Sequence, residues 1–238
     1  MHELGELALI ERLASRLQWR LAKEPSVARG IGDDAALWRP TPGYVSVLTT
    51  DTMIEGVHFT QHTVPWYDLG WKALAVNISD LAAMAASPRV ALVTLALTGE
   101  EEVADIEALY DGIADLAGCH GVQIVGGDTV RAAQRQVGFT LIGEAPDLDG
   151  VPQVLLRKAA LPGDVLAVSG HPGDAAGGLE LLLRAEPDAE PTLLVAHRRP
   201  QPRTREAHWL FSQGVRCATD SSDGLVREAD LLCAASGV

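Results

Sequence analysis

Aspartates recur in this chain at places where a backbone changes direction. Asp33 and Asp34 follow Gly30-Ile31-Gly32, Asp51 closes the run VSVLTT, and Asp80 closes Asn77-Ile78-Ser79. Asp128 follows Gly126-Gly127, and Asp220 and Asp223 bracket Ser221-Ser222 ahead of Gly224. Nearly all stand beside Gly, Ser or Thr at the expected ends of elements, where α/β folds place ligand sites. Carboxylates are hard oxygen donors, and Mg²⁺ or Ca²⁺ is the hard cation that takes them. Thr49, Thr50 and Ser222 add hydroxyl or carbonyl oxygens. Any one of these aspartates alone reads more simply as a turn former or an N-cap. Five such segments in one chain point to a divalent-cation site, although spacing does not show that they converge.

The rest of the chemical inventory is thin. There is no GxxxxGK[ST], GxGxxG, GxSxG or HExxH, so nucleotide P-loops, dinucleotide fingerprints, serine hydrolysis and zinc hydrolysis lose their usual support. Lysines number only three: Lys23, Lys72 and Lys158. The net charge of −13 over 238 residues argues against nucleic acid, which needs a basic face, and against an anionic membrane surface. An acidic protein can still handle phosphates when a divalent cation stands between the two negative partners. Cys119, Cys217 and Cys233 have neither disulfide nor zinc spacing and are expected as buried small hydrophobes in a reducing cytoplasm. No stretch approaches the roughly 18 apolar residues of a membrane span. The acidic start, Met1 to Glu6, does not read as a secretory signal, so a cytoplasmic enzyme or binding protein is expected.

The elements that must position these residues follow from periodicity. Leu9, Leu13, Leu17 and Leu21 predict a helix over 3–21. Strands are predicted at 44–50, 90–97, 122–125 and 137–142, with helices at 66–86 and 100–119. The proline- and glycine-bearing stretch 146–162 is the candidate domain boundary. Beyond it the pattern predicts a strand at 165–169, a glycine-rich turn (GHPGDAAGG) opening a helix through Leu183, and a loop over 186–191. Helices around 192–198 and 203–213, a weak strand at 218–222 and a last helix from Leu225 complete it. The class is α/β (α+β) with two lobes, the second short of strands, so the chain is expected to stop inside its second domain. Trp66 and Trp71 are expected in packing, and His197, Arg198 and Arg199 either on a solvated face or against phosphate. His58 by its neighbours alone reads as a satisfied strand-end histidine.

Taken in order along the chain, GELALI (5–10), IGDDAA (31–36), TTDTMIEGVHF (49–59), WKALAVNISDLAAM (71–84), GGDT (126–129), HRRPQPR (197–203) and TDSSDGL (219–225) resemble the thiamine-monophosphate kinases, a family of the aminoimidazole ribonucleotide synthetase-like superfamily. The resemblance implies the two-domain fold of that superfamily, with a mixed N-terminal sheet and helices. Residues 1–148 would form an ATP- and Mg²⁺-binding, dimerising domain, and 149–238 an incomplete C-terminal one. It implies ATP-dependent phosphorylation of thiamine monophosphate to thiamine diphosphate in that cofactor's biosynthesis. Carried over position by position, it makes Asp34, Thr49, Thr50, Asp51, Asp80, Asp128, Asp220 and Asp223 the Mg²⁺ ligands. It sets Tyr110, Gly127, Asp128, Arg157 and Ser222 beside ATP, and His58 on the thiamine-phosphate side. It further implies a homodimer in which the first-domain sheets of two subunits pair into a barrel.

The physics suits that assignment: phosphoryl transfer needs in-line positioning and charge neutralisation more than covalent help, so no side-chain nucleophile is required. The departure is at the end, where family members continue through a Gly-Gly-Glu-Asp motif and a late aromatic that help hold thiamine. Two other readings therefore stand beside the kinase: a sister ATP-dependent synthetase of the superfamily, and a non-catalytic remnant that binds Mg²⁺ and nucleotide. EGVHF and NISDLAAM favour the kinase, and no cysteine or glycine-rich lysine segment precedes residue 30 to suggest selenophosphate synthesis.

Overall fold

A computed structural model describes residues 6–21, 24–185 and 190–238. Gly5 of the first matching segment, residues 3–5 of the expected first helix and 186–189 of the expected loop lie outside the described residues. Helix α1 (Glu6–Arg20) buries Leu9, Leu13 and Leu17 along one face. On its flank, Arg12, Arg16 and Arg20 repeat every fourth residue and pair with Glu107, Asp111 and Asp115, also four apart, on α3 (Val103–His120). Two helices with the same period meet in register, so one ion pair forms per turn.

A short hairpin, β1 (Val27–Arg29) and β2 (Leu37–Trp38), carries the Gly30–Asp34 turn. The main sheet has β3 (Tyr44–Ile54), β6 (Gln136–Leu148), β4 (Ser87–Leu97) and β5 (Gln123–Arg131) in that order, with β7 (Val151–Pro152) paired to the end of β6. β4 and β5 run parallel and the other pairs antiparallel, which makes the sheet mixed. One face is covered by α2 (Trp66–Ala83) and α3, and Leu69, Leu74, Ile78, Ile106, Leu109, Ile113, Phe139 and Leu141 fill the layer between. The two helices cross backbone to backbone. A Cβ on Gly70 would stand 1.9 Å from the Leu109 carbonyl oxygen, and one on Gly112 the same distance from that of Tyr67. Only glycine permits this approach. The opposite sheet face stays open, exposing Leu48, Leu92 and Val130 among threonines.

The remaining chain forms α4 (Asp174–Leu183), α5 (Pro191–Arg198), α6 (Thr204–Ser212) and α7 (Leu225–Ser236). A second, small core of Ala82, Ala85, Leu155 and Ala207, backed by Phe211 and Val215, joins it to the end of α2. HRRPQPR forms the turn that docks this lobe against α2. His197 is buried, Arg198 donates to the Thr63 carbonyl at 2.8 Å, and Arg199 pairs with buried Asp68 while stacking on Tyr67. The Trp71 indole N–H donates to the Pro200 carbonyl at 3.0 Å, so Trp71 packs as expected.

Several element limits differ from expectation. β3 does not end at Asp51, because its pairing with β6 continues to Ile54 opposite Gln136. β5 likewise runs through Gly126-Gly127-Asp128 to Arg131. Residues 165–169 form no strand; they find no pairing partner among the described residues, and Val165, Leu166 and Val168 are exposed. At 218–222 there is no strand either, only an isolated bridge between Leu156 and Cys217. The cysteines are not buried: Cys119 and Cys233 are exposed on outer helix faces and Cys217 is half-buried. Among the described residues no helix is long and apolar enough to cross a membrane.

Candidate functional site

Strand alternation decides which of the β3 residues can act together. Val45, Val47, Thr49 and Met53 turn toward the helices, while Leu48, Thr50 and Thr52 turn to the open face. The Thr49 hydroxyl donates to Asp80 Oδ2 at 2.5 Å, linking β3 to α2. The Asp51 backbone N–H, on the unpaired edge of the sheet, donates to the side-chain oxygen of Asn77 at 2.9 Å. Asn77 is fully buried and is held in turn by donating to the Ala73 carbonyl. Asn77 and Asp80 lie three apart on one helix face, so α2 presents both to the same stretch of β3.

From the second lobe, Asp220 faces the same place. Its carboxyl is pushed up by burial first, then by the charges of Asp80 and Glu228, with Arg157 pulling the other way. The Asp51 carboxyl is also pushed up, by desolvation first and by Asp80, partly offset by His58. The charge of Asp80 therefore bears on both Asp51 and Asp220. Arg157 is the cation that offsets Asp220; its Nε donates to the Thr219 hydroxyl at 3.2 Å. A cleft of about 580 Å³ opens here, lined by Thr49, Asp80, Arg157, Lys158, Thr219 and Asp220 over an apolar wall of Val47, Leu81, Met84 and Leu155. An apolar wall with a few convergent polar groups is the ordinary form of a small-molecule site.

Other expected residues are placed differently. The Thr50 side chain donates to the Phe139 carbonyl and points away from Asp80. Asp128 pairs with Thr94, exposed on the open face, whereas Asp51 lies opposite Phe139, which is buried under the helices. β3 and β5 are the two edges of the sheet, about 14 Å apart at ordinary strand spacing. Asp34 is exposed on the turn whose Gly30 lies beside Val125, again at the β5 edge. Gly127 is required where it stands, since a Cβ there would meet the Val93 carbonyl oxygen at 2.0 Å. Asp223 pairs with Arg227 at 3.0 Å, and Ser222 is exposed in the loop before α7. Tyr110 is buried between the helices, its hydroxyl pushed up to about 12 by burial, and does not line the cleft. Among the described residues no three His, Cys, Asp or Glu side chains stand close enough to cage a metal ion unaided. Asn77, Glu228 and Lys158 are the site residues that the sequence did not single out. For Asn77 the signal was its spacing of three from Asp80.

His58 closes the turn after β3. Its Nδ1 accepts the Ile54 N–H at 3.0 Å, while its own N–H donates to the Ile54 carbonyl at 2.9 Å. The histidine is thus satisfied at the strand end, as its neighbours suggested.

The mixed sheet layered on helices, with a second lobe beside the acidic cleft and its arginine, is an AIR synthase-like fold. Residues 32–145 match the family model "AIR synthase related protein, N-terminal domain". The thiamine-monophosphate kinase of Bacillus subtilis (strain 168) is 39% identical over 92% of this chain and 68% of its own length. The crystal structure of the thiamine-monophosphate kinase from Stenotrophomonas maltophilia K279a superposes with a TM-score of 0.85, at 38% identity over 99% of this chain and 73% of that one. The structure of AaThiL complexed with AMPPCP and TMP gives 0.76, at 33% identity over 100% and 72%. The chain belongs to the thiamine-monophosphate kinase family.

Proposed function

We propose that the chain transfers the γ-phosphoryl group of ATP to thiamine monophosphate, giving thiamine diphosphate and ADP. What carries this reading is the cleft shared by Thr49, Asp80, Arg157 and Asp220, in a fold whose relative is seen with AMPPCP and TMP. The acceptor is the substrate's own phosphate oxygen: its bond to the γ-phosphorus forms as the bond to the β–γ bridging oxygen breaks, and no phosphoenzyme intervenes.

The donor set fits Mg²⁺. Asp51, Asp80, Asp220 and the Thr49 hydroxyl are hard oxygens, and the Asp80 charge that raises the other two carboxyls would be relieved by an added cation. When bound, Mg²⁺ supplies neutralisation and bridging of the phosphates. Arg157 offers a rigid fork to phosphate oxygens, and Ser222 a hydroxyl from the neighbouring loop. Thr50 and Asp223 would take part through backbone oxygen and through release from Arg227. His58 stands at the far end of β3 and faces the thiamine phosphate. From Thr49 to Ile54 the strand spans about 17 Å, enough to set nucleotide and acceptor end to end.

Asp34, Gly127 and Asp128 belong to the same site in a homodimer. Within one chain they occupy the edge opposite Asp51, and the open face carries exposed Leu48, Leu92 and Val130. Two copies closing their open faces into one barrel would bring the edge strands to the seam between copies. Residues 149–238 form the second domain, which closes over the nucleotide through Arg157 and Asp220.

A coupled assay of thiamine diphosphate formation with ATP, Mg²⁺ and thiamine monophosphate tests the reading. Turnover supports it; Mg²⁺-ATP binding without turnover favours a non-catalytic binder. Labelled protein after incubation with γ-labelled ATP alone would contradict direct transfer. Light scattering at rising concentration tests the dimer, which a persistent 25 kDa species would overturn.

A further inference from the structure

Arg135 lies outside every segment that resembles the family, in the turn between β5 and β6, yet it ties three loops together at one end of the sheet. Its Nε donates to Glu101 Oε1 at 2.6 Å, its Nη1 pairs with Glu55 Oε2 at 3.1 Å, and its guanidinium lies 5.7 Å from the centre of the Trp66 ring. Glu101 has a fully buried side chain and anchors the cation; it also accepts the Thr98 N–H and hydroxyl and the Gly99 N–H. Glu55 is the other end of this clamp. Its N–H donates to the Arg135 carbonyl at 3.0 Å, and its carbonyl accepts the Gln134 side-chain amide.

Directly after Glu55 the chain makes the tight turn that ends in His58 and Phe59. Gly56 N–H donates to the Phe59 carbonyl at 2.7 Å, and Val57 and His58 N–H both donate to the Ile54 carbonyl. Because His58 Nδ1 accepts a backbone N–H, the neutral ring must carry its proton on Nε2. The turn therefore presents a fixed N–H donor, suited to a phosphate oxygen. That orientation depends on where Glu55 enters the turn, and Arg135 holds Glu55 from both backbone and side chain.

We propose that Arg135 is a positioning residue for the acceptor substrate: through Glu55 it holds the 54–59 turn so that His58 offers Nε2–H to the phosphate of thiamine monophosphate. The proposal rests on the kinase reading for the identity of that substrate. An arginine is needed because three partners are met by one planar fork, which lysine cannot reproduce.

The test compares the full chain with Arg135→Met, Arg135→Lys, Glu55→Gln and His58→Ala. In Arg135→Met the KM for thiamine monophosphate should rise about tenfold while the KM for ATP stays within about twofold, with partial recovery in Arg135→Lys. Adding Arg135→Met to His58→Ala should raise that KM no further, because both act through one contact. Independently of turnover, ¹⁵N spectra at a pH where imidazole is neutral should show a single Nε2–H tautomer for His58 in the parent chain. In Arg135→Met a mixture of tautomers and faster amide exchange at Gly56–His58 should appear. An unchanged tautomer and unchanged exchange would overturn the proposal, as would equal rises in both KM values. If Arg135→Met does not fold, Glu55→Gln, which leaves the Arg135–Glu101 pair in place, decides it by the same readouts. Turnover of the parent chain judges the kinase reading separately, since the tautomer readout needs no activity.

Discussion

The side-chain oxygen of Asn77 accepts the backbone N–H of Asp51 at 2.9 Å, so a fully buried amide on a helix fixes a carboxylate on the sheet edge. Among the described residues no neighbouring strand meets that N–H, and Asn77 supplies its partner. The Asp51 carboxyl, partly desolvated and facing the charge of Asp80, sits on a backbone so held.

Asn77→Ala should therefore lower stability by about 1–3 kcal/mol, the range for leaving a buried polar group unpaired. The KM for ATP should rise with it. Denaturant unfolding together with steady-state kinetics measures both, and a fall in stability with unchanged KM would show that Asn77 serves the fold alone.

Asp80→Asn keeps a hydrogen-bond acceptor for Thr49 but removes the charge shared with Asp51 and Asp220. Mg²⁺-ATP binding, followed by calorimetry at low Mg²⁺, should be lost or weakened by more than about tenfold, as expected for removal of a charged ligand. Binding at parent strength would refute the assignment of this carboxylate.

Arg157→Ala should raise the KM for ATP by about tenfold, and Arg157→Lys should recover only part, because a point charge does not replace a planar fork. Equal behaviour of the two variants would mean that Arg157 contributes charge alone.

Acid should weaken the anchor of the Arg135 clamp. Burial alone would raise the Glu101 carboxyl, but hydrogen bonds from Thr98, Arg135 and backbone N–H groups outweigh it and bring the pKa down to about 2. A depressed carboxyl stabilises the fold fully above its unfolded value of about 4.5, and that contribution fades as pH falls from there toward about 2. The stability difference between the parent chain and Glu101→Gln should accordingly shrink from pH 6 to pH 3 in thermal unfolding. A difference independent of pH would show that the carboxylate charge is not what holds Arg135.

Gly112→Ala places a methyl 1.9 Å from the Tyr67 carbonyl oxygen at the crossing of α2 and α3. Backbone cannot yield as a side-chain tip can, so a loss near 3 kcal/mol and a fall in Tm on the order of 10 °C are expected. A Tm within about 2 °C of the parent would contradict the close crossing.

Local pattern alone placed most of the elements. The four-residue leucine spacing of α1, the acidic first turn of α3 and the β-branched runs of β4 and β6 are recorded in neighbouring residues, because helix and strand periods are local properties. The strands β3, β5 and β6 ran past their expected ends because pairing continued through residues of weak strand propensity. Asp51 and Asp128 look like stops in sequence, yet each has an opposite residue in the sheet. The strand expected at 165–169 failed for the converse reason: apolar alternation makes a strand only where another strand completes its hydrogen bonds.

For the site, sequence determined the chemistry and tertiary structure decided the company. The residue types alone marked hard oxygen ligands, their order along the chain carried the family, and the family resemblance added Arg157. Which carboxylates share a cleft was not legible, since it depends on strand alternation and sheet order. These put Thr49, Asp51, Asp80 and Asp220 together and send Thr50 and Asp128 to the other face. Glu101 and Arg135 were silent in sequence for the same reason, and Asn77 showed only its spacing from Asp80. A buried polar group shows its purpose only through the partner that satisfies it, and those partners lie tens of residues away along the chain.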